Sequence, residues 1–193
     1  MSAPTRAAPP PPPPAEVNGD DDQGASANER LLAAAKHDNE EMFESALREV
    51  KDVNYVDGLG NTALHYAIIH ASTSILEPLL EHETCDVDIR NRLQGDTPLH
   101  IAVRNRWEDH EGLRLFLVGH LLEAGADTKI KNRYNQKPID LLPPPSNDPE
   151  SDDEKIRAAI RRTEAEEMIA DKGDIVEDDD DIIDANDIAS DSD

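Results

Sequence analysis

Gly95-Asp96-Thr97-Pro98-Leu99-His100-Ile101-Ala102 is the stretch that decides the fold. A glycine, free to take positive φ, stands two residues before a threonine and a proline. Threonine accepts from the orphan amides of a helix start, and proline suits the first turn, where its missing amide is not needed. The octet therefore reads as a tight turn entering a helix. It recurs 35 residues upstream as Thr62-Ala63-Leu64-His65-Tyr66-Ala67, with Gly60 in front. A weaker copy lies 40 residues downstream, Lys137-Pro138-Ile139-Asp140-Leu141-Leu142, where Asn135 replaces the glycine. Asparagine tolerates the left-handed region better than most residues. Further upstream, Leu31-Leu32-Ala33-Ala34-Ala35 takes the same slot, 33 residues before Leu64. A second element keeps phase with the first: Asp52-Val53-Asn54, Asp86-Val87-Asp88, then Gly125-Ala126-Asp127. Leucine-bearing helical stretches precede each one, at Met42–Glu49, Ile75–Glu81 and Leu115–Glu123. Two linked motifs in phase over three periods specify a repeat array.

On these residues the chain resembles the ankyrin-repeat family over residues 28–171, most closely over 52–142. Its layout resembles that of small fungal ankyrin-repeat proteins. The resemblance implies an all-α solenoid of helix pairs with β-turn fingers, about 33 residues per repeat. Two clear repeats, 57–91 and 92–132, are expected between two divergent caps. The longer third spacing predicts a loop near Trp107–Arg114, between two helices. Leu64, Leu99 and Ile139 are expected in the core between repeats, with Ala67 and Ala102 keeping adjacent helices close. His65 and His100 match the family's structural histidine, which hydrogen-bonds between repeats. The resemblance also implies docking of a partner on the concave side, built from finger tips and first helices. The finger positions are Leu59, Asn61, Leu93, Gln94, Asp96, Arg133, Tyr134 and Gln136. The first-helix positions are Ile69, His70, Arg104 and Asn105. Leu59, Leu93 and Tyr134 read two ways, as an exposed interface stripe or as contacts between fingers. Trp107 is either an interface anchor or a staple for the long loop.

The ends differ from the middle. Residues 1–27 carry the proline run Pro9–Pro14 and the acids Asp20–Asp22, and are expected to be a disordered tail. Residues 172–193 are expected to be a second disordered tail, acidic and self-repelling. Pro143-Pro144-Pro145 is expected to stop a helix after barely one turn, before helical patterning resumes at Lys155–Asp171. Pro78 conflicts with its helical stretch, so a kink or a fresh start is expected there. Three short signals sit near the ends: Arg6–Pro12 fits R-x-x-P-x-x-P, Ser151 and Ser190 precede acids as acidophilic-kinase sites do, and Ile175-Val176 and Ile182-Ile183 flank an acid run.

Composition excludes several functions. The formal charge is −24, with −14 of it on residues 147–193. So acidic a chain repels phosphate and anionic membranes, which argues against nucleic-acid and membrane partners. No run of 18 apolar residues or secretory signal is visible. Cys85 is the one cysteine, so neither an internal disulfide nor a cysteine-cluster zinc site can form. His82-Glu83 and His110-Glu111 fail as H-E-x-x-H, because Asp86 and Arg114 stand where the second histidine belongs. With no phosphate-binding glycine loop either, no enzyme activity, cofactor or metal is expected. The expected function is a monomeric, non-catalytic adaptor or scaffold in cytosol, nucleus or both, with a protein partner. Partners with basic patches suit the charge. The rival expectation is an acidic escort chaperone for a basic client, such as a ribosomal protein or histone.

Overall fold

The computed structural model describes residues 24–107, 110 and 112–173; both expected tails, apart from their edges, lie outside the described residues. Seven helices and one 3₁₀ turn make four helix pairs, and the described residues contain no strand. The pairs are α1 (Ala27–His37) with α2 (Glu40–Leu47), α3 (Ala63–His70) with α4 (Thr73–Leu80), and α5 (Pro98–Arg104) with α6 (Leu113–Glu123). The 3₁₀ turn Pro138–Leu141 with α7 (Asp152–Gly173) completes the set. First helices stack in an inner row, α1 on α3, α3 on α5, α5 on the 3₁₀ turn. In the outer row α2 touches α4 and α6 packs on α7. One core runs through the stack, from Leu31 and Ala34 through Leu64, Ala67, Leu99 and Ala102 to Ile156 and Ile160. The alanines at 34, 67 and 102 are fully buried where inner helices meet, and a larger side chain would force the rows apart.

The threonine motif acts as its chemistry requires. Thr62 caps α3 and Thr97 caps α5, each hydroxyl accepting from the amide three residues on, at 3.3 and 3.5 Å. Each motif histidine closes the box by accepting the cap residue's own amide on Nδ1, at 3.2 Å for Thr62 and 3.3 Å for Thr97. The Asp-x-Asn/Asp element is a ladder between repeats. Asp52, Asp86 and Asp127 each accept from the amide two residues ahead. Asn54 then accepts from the Asp86 amide at 2.8 Å, and Asp88 from the Asp127 amide at 3.0 Å.

Two connections depart from the repeat. α4 runs without a break from Thr73 to Leu80 with Pro78 inside it, so no fresh helix starts there. Pro78 is exposed, and Ser74, whose carbonyl lacks its usual amide, is exposed too, so water can replace the lost bond. Eight residues separate α5 from α6, where two separate α3 from α4. Arg114, buried, spans that gap: its guanidinium donates to the Val103 carbonyl at the end of α5 and to Asp153 of α7. Burial alone would raise the Asp153 carboxyl, but Arg114 and Arg106 hold it below the usual range. This anchor sets α7 alongside α6, and Lys129 with Glu167, at 2.9 Å, fixes its far end. Trp107 is half-buried against the core, which staples the connection.

Finger turns show where glycine is obligatory. Gly60 has φ +77°, and an added Cβ would sit 2.7 Å from the Arg92 backbone nitrogen. That nitrogen donates to the Leu59 carbonyl at 2.8 Å, joining the first finger to the second. Gly60→Ala is expected to cost about 2–3 kcal/mol, combining left-handed strain with a weakened hydrogen bond. Thermal unfolding should show the loss, whereas Gly58→Ala, with open space around it, should leave the midpoint unmoved.

Candidate functional site

The site is built on three fingers, each closed by one side chain. Asp57, Asn91 and Asn132 accept from two amides each across their turns. Fingers are tied in series, Arg92 N–H to the Leu59 carbonyl and Arg133 N–H to the Gln94 carbonyl, both at 2.8 Å. The histidines fasten fingers to inner helices. His65 Nε2 donates to the Asp96 carbonyl at 3.3 Å, and His100 Nε2 to the Gln136 carbonyl at 3.0 Å. Burial pushes the His65 imidazole down to about 4, against the upward pull of the Asp96 carbonyl and nearby carboxylates. His100 is lowered for the same leading reason.

The expected contact residues separate into two groups. Leu59, Leu93 and Tyr134 are exposed by 46%, 58% and 66%, so they are not consumed in contacts between fingers. His70, Arg104 and Arg133 are also exposed, while Ile69, Gln94, Asn105 and Gln136 are half-buried. Asn61 and Asp96 are corrected: both are buried and neither offers its side chain to a partner. Asn61 lies behind the first finger, its amide held by Asp57. The Asp96 carboxylate accepts from the Arg104 guanidinium and, at 3.0 Å, from Asn132 Nδ2. Spacing alone could not reveal this, because both residues sit directly before a helix-capping threonine, and the groups that enclose the Asp96 carboxylate, Arg104 and Asn132, come from later segments.

Sequence reasoning named Arg104 and Arg133 on this face and missed Arg90 and Arg92. Arg90, Arg92 and Arg133 are exposed beside the apolar stripe, and none has a carboxylate within ion-pair distance among the described residues. Their stems pack on the finger glycines: Arg92 Cγ against Gly60, and Arg133 Cγ with the Arg90 guanidinium against Gly95. Arg90 Nε also donates to the Gly95 carbonyl at 3.2 Å. Within the fingers Asp57 and Asp96 are engaged by amides, Tyr66, Asn132 and Arg104, and many of the other acids lie on α2 and α7 of the outer row.

Burial pushes the Cys85 thiol up to about 11, which leaves it a poor nucleophile. Among the described residues no three His, Cys, Asp or Glu side chains cluster as metal ligands would, and no helix is long and apolar enough to cross a membrane. A cleft beneath Trp107 is lined by Arg106 and Arg114, but both arginines are already paired with Asp153.

Comparison with known proteins supplies independent findings. A family model described as ankyrin repeats, in three copies, matches residues 31–132. The ankyrin repeat-containing protein YGL242C of Saccharomyces cerevisiae is 35% identical over 125 residues, covering 60% of this chain and 68% of the yeast protein. Alpha-latrocrustotoxin-Lt1a of Latrodectus tredecimguttatus is 38% identical over 82 residues, 42% of this chain but 5% of the toxin. The BTB/POZ domain and ankyrin repeat-containing protein NBCL of Lupinus angustifolius is 35% identical over 80 residues, 42% of this chain and 15% of that protein.

Proposed function

The chain belongs to the ankyrin-repeat family, whose repeats are general protein-interaction modules, and on that premise we propose that it is a non-catalytic adaptor or scaffold binding its partner through the finger face. The observation that carries this reading is the exposed row Leu59, Leu93 and Tyr134, flanked by charge on a frame fastened by backbone hydrogen bonds. Apolar residues held rigidly in water with a charged rim suit an interface core. A monomer in cytosol, nucleus or both fits the reading. The escort role for a basic client is favoured by the acidic segments, but the unpaired finger arginines would repel such a client at this face.

The test uses the partner set recovered on the full chain by affinity purification and mass spectrometry. Leu93→Asp and Tyr134→Asp should release specific partners while leaving the circular dichroism spectrum and thermal midpoint near wild type, since both side chains lie outside the core. Arg104→Ala is a poor probe, because it strands the buried Asp96 carboxylate. Undiminished capture by the double variant would overturn the finger-face assignment.

A further inference from the structure

We propose that the arginine-rimmed finger face is a receptor for acidic segments bearing aliphatic residues, and that its occupant in the free protein is this chain's own segment 174–193. The proposal rests on the finger face being the docking surface and names what sits there first.

Three observations converge. The first is charge: Arg90, Arg92 and Arg133 gather on neighbouring fingers without carboxylate partners among the described residues, in a chain of net charge −24. Like charges brought together raise the local potential and attract an anionic segment. The second is chemistry. Segment 174–193 reads Asp-Ile-Val-Glu-Asp-Asp-Asp-Asp-Ile-Ile-Asp-Ala-Asn-Asp-Ile-Ala-Ser-Asp-Ser-Asp, with no basic residue. Its acids match the arginines, and its isoleucine and valine pairs match exposed Leu59, Leu93 and Tyr134. The third is position. Glu167 of α7 is paired with Lys129, four residues before Arg133 in the third finger. Six more helical residues, about 9 Å of rise, separate that pair from Gly173, after which the segment begins. Twenty residues then reach up to about 66 Å when extended, enough to cross all three fingers. Tethering makes the encounter intramolecular, with an effective concentration near the millimolar range, so weak contacts suffice. A partner must therefore displace the segment, which selects for partners more acidic or more apolar than the segment itself.

The experiment places a nitroxide spin label at Ala185→Cys in the full chain, with Cys85→Ala to leave one thiol. Backbone amides of Leu59, Arg92, Leu93 and Arg133 should broaden. The broadening should vanish in Arg92→Glu/Arg133→Glu and in about 1 M NaCl, where the screening length is about 3 Å. It should not change on dilution. The label-free check changes Asp178, Asp179, Asp180 and Asp181 each to Asn in the otherwise native chain; the same finger amides should shift. Broadening confined to the end of α7, or unaltered by arginine reversal, overturns the proposal. Broadening that fades on dilution also overturns it, because the occupant is then a second copy. If the fingers show no broadening yet Leu93→Asp and Tyr134→Asp still release partners, the seat of the segment is wrong and the docking face stands.

Discussion

Asp96→Ala is expected to destabilise the chain by about 2–3 kcal/mol, because it leaves the buried Asn132 side chain and the partly exposed Arg104 guanidinium without their shared acceptor. Asp96 is fully buried at the base of the second finger. Its carboxylate binds the Arg104 guanidinium at the end of α5 and the Asn132 amide of the third finger. Its backbone carbonyl accepts from His65 Nε2 and from the Asn91 amide, and its own amide donates to Asn91 Oδ1. One residue thus joins two fingers and two inner helices. The Arg104 side chain is 39% exposed, so water recovers part of its loss, which places the cost below the roughly 3–5 kcal/mol of stranding a buried charge. Arg104→Ala should cost as much or more, since it strands the fully buried partner. The double variant Asp96→Ala/Arg104→Ala should be clearly less destabilised than the two losses added. Urea unfolding of the four proteins measures the cycle. A loss below about 1 kcal/mol for Asp96→Ala, the worth of an exposed pair, would show that the carboxylate is hydrated rather than buried.

Acid should loosen the array before ordinary carboxylates titrate. The His65 imidazole has an ordinary value of 6.5 unfolded and is pushed to about 4 by burial when folded. Its Nδ1 accepts from the Thr62 amide and hydroxyl, so a proton there would have to displace two donors. As pH falls below 6.5 the unfolded chain takes up the proton first. The imidazole's contribution is therefore fully present above about 6.5, declines between there and about 4, and levels off below. One site shifted this far contributes about 3 kcal/mol over the window. His100 adds to the same slope, as its value is also lowered by burial. Chemical denaturation at pH 7, 6 and 5 should show the decline, and His65→Asn should flatten it. The His65 ring resonance should keep its neutral position to near pH 4; an inflection close to 6.5 would overturn the account.

Much of this architecture is written locally. Thr62 and Thr97 announce helix starts because a cap needs only its own hydroxyl and an amide three residues on. Gly60, Gly95 and Asn135 mark finger turns because positive φ, at +77°, +68° and +61°, is a property of single residues. Leu64 and Leu99 reach the core because their helical period aims them there. In each case the deciding interaction spans about one turn of chain, so sequence alone determines it.

The binding face obeys longer-range rules. Pro78 sits inside α4 because packing of Ile75, Leu76 and Leu79 holds the helix and solvent covers the interruption, which outweighs local propensity. Asn61 and Asp96 occupy finger positions in the repeat, yet their side chains turn inward. For Asp96 that direction follows from Arg104 and Asn132, contributed by later segments. The arginine cluster is likewise invisible in a chain whose summed charge is −24. Arg90 and Arg133, some forty residues apart, meet at Gly95, with Arg92 against Gly60 one finger away, only because backbone hydrogen bonds set finger beside finger in one register. Sequence determined the repeat, its caps and its core; tertiary structure alone decided which finger side chains face water and what charge they present there, because both depend on the register of one repeat against the next.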